Sequence, residues 1–458
     1  DLYGFLSDFT EKDRDNGALE WLLKCHINLV QFYDWSYRHD SLVAPQEDYH
    51  DMMGKEISGS TVKAKIAKAK ALGMHPTAYG AVYAASEPFF EKHPTWAFYN
   101  SCQEPFVFID VFYIMNIAKG SPWRKHLFEE YQSAISMMGF SGIHMDTYGF
   151  PKTAYSHLDA IPKKIKLENE LPTLIDETRE NVHGEEEPYL IFNNVGAWPV
   201  QRTADRKQDA VYIEVWPPYD RYASIAQLIR DARTYARDDK SIILAAYLKP
   251  FREGKREKAL PAAKLLMGSI VSNGATHLLT GENQTALTQG YYSDYTKFSD
   301  SEAEAIRRYY DYMIRYENLF FDPELQDVTM THTGWDNYEY QCTSHKVSSY
   351  GEAGKIWMIL REKDYRKCIY LLNLCGQSED YWNEGKEEPN IQKDIKFTVQ
   401  VDTPVEKICF STPDEENMDA IELSFTERAT KTGKFIDFTV PSLNYWTTIW
   451  IDTRKETI

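Results

Sequence analysis

The sequence predicts an α/β protein: a (β/α)8 barrel over residues 1–340 followed by a C-terminal antiparallel β-sandwich over residues 341–458. Two observations lead there. Short apolar runs bounded by Gly, Pro and Asn alternate with longer amphipathic stretches through the first two thirds of the chain, the βαβα pattern that builds a parallel sheet. After about Tyr340 the helical period disappears, and runs that alternate polar with apolar residues follow one another, as strands with one buried face do.

Eight runs are candidate barrel strands: Ile27–Tyr33, Met74–Ala81, Phe106–Val111, Gly142–Met145, Leu190–Asn193, Val211–Glu214, Ile242–Tyr247 and Thr276–Leu279. Helices are predicted between them at Ser60–Leu72, Pro122–Met138, Ile165–Asn181, Ser224–Ala236 and Leu260–Ser272. Gly73, Gly139 and Asn273 stand where C-caps belong. Ser301–Leu319 is the last helix of the ring. This alternation fits a (β/α)8 barrel with some long loops. A doubly wound open sheet would need fewer strands and a phosphate-binding glycine loop, which the sequence lacks. The sandwich strands are predicted at Lys355–Leu360, Lys367–Leu374, Asp394–Val401, Glu406–Phe410, Ile421–Phe425, Phe435–Val440 and Tyr445–Ile451.

Composition narrows the partners. Sixty-nine acidic residues against 51 basic ones give a formal charge of −18, which repels phosphate backbones and anionic membranes. No nucleic-acid partner is therefore expected, and a neutral or cationic one is favoured. Thirty-one Tyr and 11 Trp exceed what a core needs, since both side chains also want a partner for a polar atom; sugar binding is one use for the surplus. The six cysteines form no CxxC pair and no ligand spacing, so they are expected to be mostly buried free thiols. No stretch reaches the ~18 apolar residues of a membrane span, and the opening Asp1-Leu2-Tyr3-Gly4 has no signal-peptide pattern. Either a signal peptide has been removed, placing the protein outside the cell or on its surface, or the chain is cytoplasmic.

In a barrel the chemistry sits at the C-terminal ends of the strands. The fourth run ends Ile143-His144-Met145-Asp146-Thr147-Tyr148, and the sixth ends Ile213-Glu214-Val215-Trp216. Each brings one carboxylate among aromatics to the same mouth. Glycosidic cleavage needs such a pair, one group to attack or activate water and one to protonate the leaving oxygen. As isolated residues they could equally be helix N-caps or ion-pair partners. The first run leads into Tyr33-Asp34-Trp35-Ser36-Tyr37-Arg38-His39, where aromatic faces would stack on sugar rings and polar groups would bond hydroxyls. The competing account is a loop pinned by Trp35 and an Asp34–Arg38 pair. Asn193 and Asn194 close the fifth run with amides that both donate and accept, or serve as turn residues. Tyr79, Tyr247 and Glu282 complete the candidate binding set.

These residues resemble glycoside hydrolase family 66, the dextranases and cycloisomaltooligosaccharide glucanotransferases. The matching blocks are FYDWSYRH (Phe32–His39), GFSGIHMDTYG (Gly139–Gly149), FNNVG (Phe192–Gly196) and VYIEVW (Val211–Trp216). The resemblance implies Asp146 as nucleophile and Glu214 as general acid/base of a retaining endo-hydrolase. Its partner would be α-1,6-linked glucan of the dextran type, and it would need no metal or other cofactor. Members usually carry an immunoglobulin-like domain ahead of the barrel, whereas this sequence opens on a segment just before the first predicted strand. Some transglycosylating members insert a carbohydrate-binding module after the seventh strand; here only about Leu248–Lys258 intervenes, which favours hydrolysis. Two alternatives stand: a cycloisomaltooligosaccharide glucanotransferase, and a metal-dependent barrel hydrolase with Asp34, His39, His144 and Asp146 as ligands.

Overall fold

Eight parallel strands form one large curled sheet in a computed structural model that describes residues 1–15, 17–237, 240–333 and 338–454. They are β1 (Tyr3–Leu6), β2 (Leu29–Phe32), β3 (His75–Ala81), β4 (Gly142–Asp146), β5 (Tyr189–Val195), β6 (Ala210–Glu214), β7 (Ser241–Ala245) and β8 (Thr276–His277). Each pairs in parallel with the next. Just past β8, Thr280–Gly281 pairs in parallel with β1 at Phe5. One stretch of chain thus hydrogen-bonds β7 at its start and β1 at its end.

The number of strands agrees with the sequence reading, but their membership differs. β1 is an addition to the predicted set, and the predicted Phe106–Val111 strand is absent from the parallel sheet. That segment is instead the tip of an antiparallel hairpin, Val107–Phe108 against Phe112–Ile114. Ile109 and Asp110 turn it with φ of 48° and 58°, a left-handed pair of the kind that two-residue hairpin turns require. β1 is hard to see in sequence because it is four residues long and contains a glycine, which weakens strand propensity. Gly4 is there for packing: a Cβ would lie 3.0 Å from Leu22 and 3.1 Å from Ile27.

Helix α1 (Ala18–Lys24) is an addition to the predicted set, and six further helices follow the predicted order: α2 (Gly59–Ala71), α3 (Pro122–Ser133), α4 (Leu167–Asn181), α5 (Tyr222–Ala236), α6 (Ala259–Ser272) and α7 (Asp300–Arg315). Local chemistry sets their ends. The Ser121 hydroxyl accepts from the Arg124 backbone N–H, with Pro122 at the first helical position. Ser299 and Glu302 form a capping box at α7. Gly139, at φ 88°, stops the wider turn Ala134–Met138 that extends α3.

Contacts divide the chain into two compact units. The first comprises Asp1–Pro217, Asp231–Tyr247 and Thr276–Lys297, and holds every strand of the parallel sheet. The second comprises Pro218–Arg230, Leu248–Ala275 and Phe298–Ile458. In it, one sheet contains Ile356–Lys363, Arg366–Asn373, Trp446–Thr453 and Val405–Ser411 in that order; another contains Gln392–Val401, Gly433–Leu443 and Phe425–Thr430. Inward-facing Ile356, Met358 and Leu360 of the first share a single buried cluster with Ile395, Phe397 and Val399 of the second. Helix α6 belongs to this unit, where a Cβ on Gly268 would lie 2.7 Å from Leu372. All six cysteines are free, and three of them are buried, fewer than expected.

Candidate active site

Because side chains alternate along a strand, His144 and Asp146 of β4 face the same way, as do Tyr212 and Glu214 of β6. Asp146 and Glu214 are the last residues of their strands. They line a cavity of about 250 Å³ together with Tyr33, Tyr79, His144, Tyr148, Asn193, Trp216 and Tyr247. Nine of the sixteen residues proposed from sequence therefore meet in one place.

One amide holds the two carboxylates together. Asn193 Nδ2 donates to Asp146 Oδ1 at 2.7 Å and to Glu214 Oε2 at 3.1 Å. The outer oxygens are bound too: Tyr79 donates to Asp146 Oδ2 at 2.6 Å, and Tyr247 donates to Glu214 Oε1 at 2.6 Å. Burial pushes Asp146 up to about 7 and the Glu214 charge adds to this, while hydrogen bonds from Tyr79, Asn193 and the Thr147 backbone oppose it. Burial also raises Glu214 above the usual carboxyl range, against hydrogen bonds from Tyr247, Asn193 and Trp216. Below the pair, Tyr3 bonds His144 Nδ1 at 2.9 Å and Gln31 approaches the same nitrogen at 3.2 Å. Burial lowers His144 to about 3, so its imidazole is neutral.

The remaining seven proposed residues lie elsewhere. Trp35 is fully buried; its indole donates to the Tyr79 carbonyl at 3.1 Å and its ring lies 4.7 Å from Phe140. Arg38 stacks on Tyr37 and donates to the Tyr37 and His50 carbonyls, and the structure gives no Asp34–Arg38 ion pair. Asp34 and His39 line a separate small niche with Asp51. Burial, then Asp51, raises Asp34 to about 8, with Lys55 opposing. Asn194 is fully buried, donating to the Tyr212 carbonyl and accepting from Thr203. Glu282 is fully buried as well: it pairs with Lys65 at 2.8 Å and accepts from the Ser7 and Asp8 backbone N–H groups. Among the described residues no three His, Cys, Asp or Glu side chains gather as a metal-binding group, which leaves the set Asp34, His39, His144 and Asp146 without the geometry a shared ion needs.

Sequence reasoning missed Gln31, Phe108, Thr147, Val195, Gly290 and Tyr292, which also line the cavity. Gln31 and Thr147 were within reach, since each lies one or two residues from a strand end already singled out. Phe108 lies in the hairpin that the sequence reading took for a barrel strand, and Tyr292 comes from a loop with no such mark.

Two carboxyl groups with raised proton affinity, bridged by one amide and walled by aromatic rings, are the apparatus of glycosidic-bond chemistry. The chain belongs to glycosyl hydrolase family 66, whose model matches residues 2–450. Two cycloisomaltooligosaccharide glucanotransferases of Niallia circulans are 22% and 20% identical, over 98% of this chain. The chain spans about three fifths of their length, 61% in each case. A crystal structure of a Paenibacillus cycloisomaltooligosaccharide glucanotransferase with cycloisomaltoheptaose shares the fold, with a TM-score of 0.87 at 18% identity, covering 98% of this chain and 84% of that one. A maltogenic α-amylase of Thermotoga neapolitana is more distant, with a TM-score of 0.61 at 11% identity over 99% and 98% of the two chains. Among the described residues no helix is long and apolar enough to cross a membrane.

Proposed function

We propose that the protein is a retaining enzyme of α-1,6-linked glucan that passes the glucosyl group from Asp146 to a sugar acceptor. The observation that carries this is the Asn193 nitrogen within hydrogen-bond reach of both carboxylates. Since a single atom bonds both, the two bound oxygens lie less than about 6 Å apart, which suits a retaining pair (~5–5.5 Å) and leaves little room for the water of an inverting one (~6.5–9.5 Å). Asp146, ionised, attacks the anomeric carbon as Glu214 gives its proton to the departing glycosidic oxygen. Glu214 then takes the proton of the incoming hydroxyl, which attacks the anomeric carbon and frees Asp146.

Transfer rather than hydrolysis is supported by the named activity of the relatives. It is also supported by Trp216, two residues beyond Glu214, which lines the cavity and is 41% exposed; an open indole face there would stack an acceptor ring. Hydrolysis, as a dextranase, is the second reading. It is favoured by the short connection from β7 to α6, which holds only the single turns Lys249–Phe251 and Arg256–Lys258. The fold that fits this chemistry is a (β/α)8 barrel over 1–340 with a β-sandwich over 341–458, supported by the pairing of Gly281 with β1 and by the shared core of the two C-terminal sheets. A polymeric substrate further argues for a secreted or cell-surface location.

Dextran digests followed over time by chromatography and mass spectrometry test both readings. Cyclic or lengthened isomaltooligosaccharides that increase with substrate concentration support transfer. Linear products alone, with glucose-unit count only falling, would leave hydrolysis. Starch and cellulose digested in parallel check the linkage.

A further inference from the structure

The geometry points to Tyr292 and Tyr212 as positioning residues for the acid/base carboxyl, acting on Glu214 through Tyr247. This rests on the assignment of Glu214 made above. Tyr212 and Tyr292 hydroxyl oxygens lie 2.6 Å apart, those of Tyr292 and Tyr247 lie 3.3 Å apart, and Tyr247 donates to Glu214 Oε1 at 2.6 Å. All three tyrosines are buried. A phenol has one proton to donate. While Glu214 is ionised, Tyr247 gives its proton to the carboxylate, so its oxygen accepts from Tyr292. Tyr292 has then used its proton, and its oxygen accepts from Tyr212. The three hydroxyls therefore point one way, toward Glu214, and each polarises the next.

The chain of hydroxyls crosses three segments of the fold: Tyr212 lies on β6 two residues before Glu214, Tyr247 just beyond β7, and Tyr292 in the loop after β8. Tyr292 is held in place by its ring, which stacks on Tyr33 at 4.6 Å and meets Phe5 edge-on at 5.2 Å. Burial keeps all three phenols protonated well past neutral pH. Among the described residues the carboxyl paired with Glu214 is Asp146 on β4, whose own proton affinity the Glu214 charge raises, while Asn193 on β5 donates to the opposite oxygen of Glu214. The donor chain thus opposes the burial that raises Glu214.

Removing donors should raise the proton affinity of Glu214 and carry the basic limb of the kcat/KM–pH profile upward, because the general acid then stays protonated to higher pH. Tyr247→Phe should move it by about 1 unit or more. Tyr292→Phe should move it by about 0.3 unit, and Tyr212→Phe by less, since polarisation carries only a fraction of each bond. A merely structural Tyr292 would lower kcat or melting temperature and leave the limb in place. In the Tyr247→Phe background, Tyr292→Phe should shift nothing further, which a double-mutant cycle measures even where the single variant is unstable. A basic limb that stays put or falls in Tyr292→Phe, or an undiminished shift in the Tyr247→Phe background, would overturn the inference.

The assignment of Glu214 is tested separately with Glu214→Gln. This variant should lose dextran turnover yet still release fluoride from α-isomaltosyl fluoride, whose leaving group needs no proton. Retained dextran turnover would remove the assignment and this inference with it. Loss of dextran turnover together with an unmoved limb in Tyr292→Phe would remove the inference alone.

Discussion

Asn193→Ala deletes the one nitrogen that serves both carboxylates. Each lost bond is of the charge-assisted kind, about 1.5–3 kcal/mol, so the proton affinity of each carboxyl should rise by about 1–2 units. In the proposed mechanism Asp146, already at about 7, is ionised when it attacks, so its rise moves the acidic limb of kcat/KM upward. Glu214 in that mechanism starts protonated, so its rise moves the basic limb in the same direction. The whole bell should therefore slide to higher pH, and near pH 6 turnover should fall at least tenfold while alkaline activity recovers in part. Initial rates on dextran across the pH range, with a thermal melt of the variant at each end, measure this. The effect should belong to the pair as a unit, because the two groups are close enough to titrate together. A uniform loss at all pH values, with both limbs unmoved, would mean that Asn193 holds substrate rather than the carboxylates, and the argument for a shared donor would be refuted.

Asp146→Asn should lower dextran turnover by at least ~10³ and at the same time stabilise the fold at alkaline pH. Its raised proton affinity in the folded state favours folding below the unfolded value and is lost as pH climbs toward about 7, a change on the order of 4 kcal/mol. Melting curves of variant and wild type should accordingly converge near pH 4 and separate by pH 8, with the variant melting higher; a wild type that melts higher at pH 8 would contradict the burial argument. Trp35→Ala should cost about 3–5 kcal/mol of stability, read by denaturant unfolding, since the ring is enclosed and lies outside the cavity. Glu282→Ala should cost a similar ~3–5 kcal/mol by leaving the Lys65 ammonium buried without its partner; kcat/KM of the folded fraction at low temperature should stay near wild type, and a large specific loss there would return Glu282 to the binding set.

Much of this was legible because parallel strands write their own geometry into sequence. The run Gly142–Asp146 is buried along its whole length and closes on a carboxylate, which marks both the strand end and the mouth of the sheet. Tyr79 and Asn193 are legible in the same way, as polar residues closing apolar runs; Asn194, chosen on the same ground, faces the other way, as the period of two requires. The same logic fails for Asp34 and Trp35: they follow β2 in a loop, where Asp34 adopts a φ of 47° and the alternation no longer holds. Composition alone marks the FYDWSYRH block as a binding loop. Its aromatic members also serve packing, and the buried indole of Trp35 supports the Tyr79 backbone from behind.

What could not be read from sequence shares one physical trait: it depends on contacts between segments distant along the chain. Tyr3 reaches His144 across 141 residues and Tyr212 meets Tyr292 across 80. A tyrosine whose ring fills a core and whose hydroxyl completes a hydrogen-bond chain looks, in sequence, like any other tyrosine. The high total of 31 tyrosines is the trace they leave in composition, and sugar stacking is the use that composition suggests for it. In the structure, Tyr3, Tyr79, Tyr212, Tyr247 and Tyr292 instead direct their hydroxyls at His144, at the two carboxylates, or at one another. Around buried carboxyl groups a phenol suits this role because it supplies a hydrogen-bond donor without adding a charge, and its ring fills the space around the donor. Part of the aromatic richness of this chain therefore serves to direct hydroxyl groups at His144 and the two carboxyl groups.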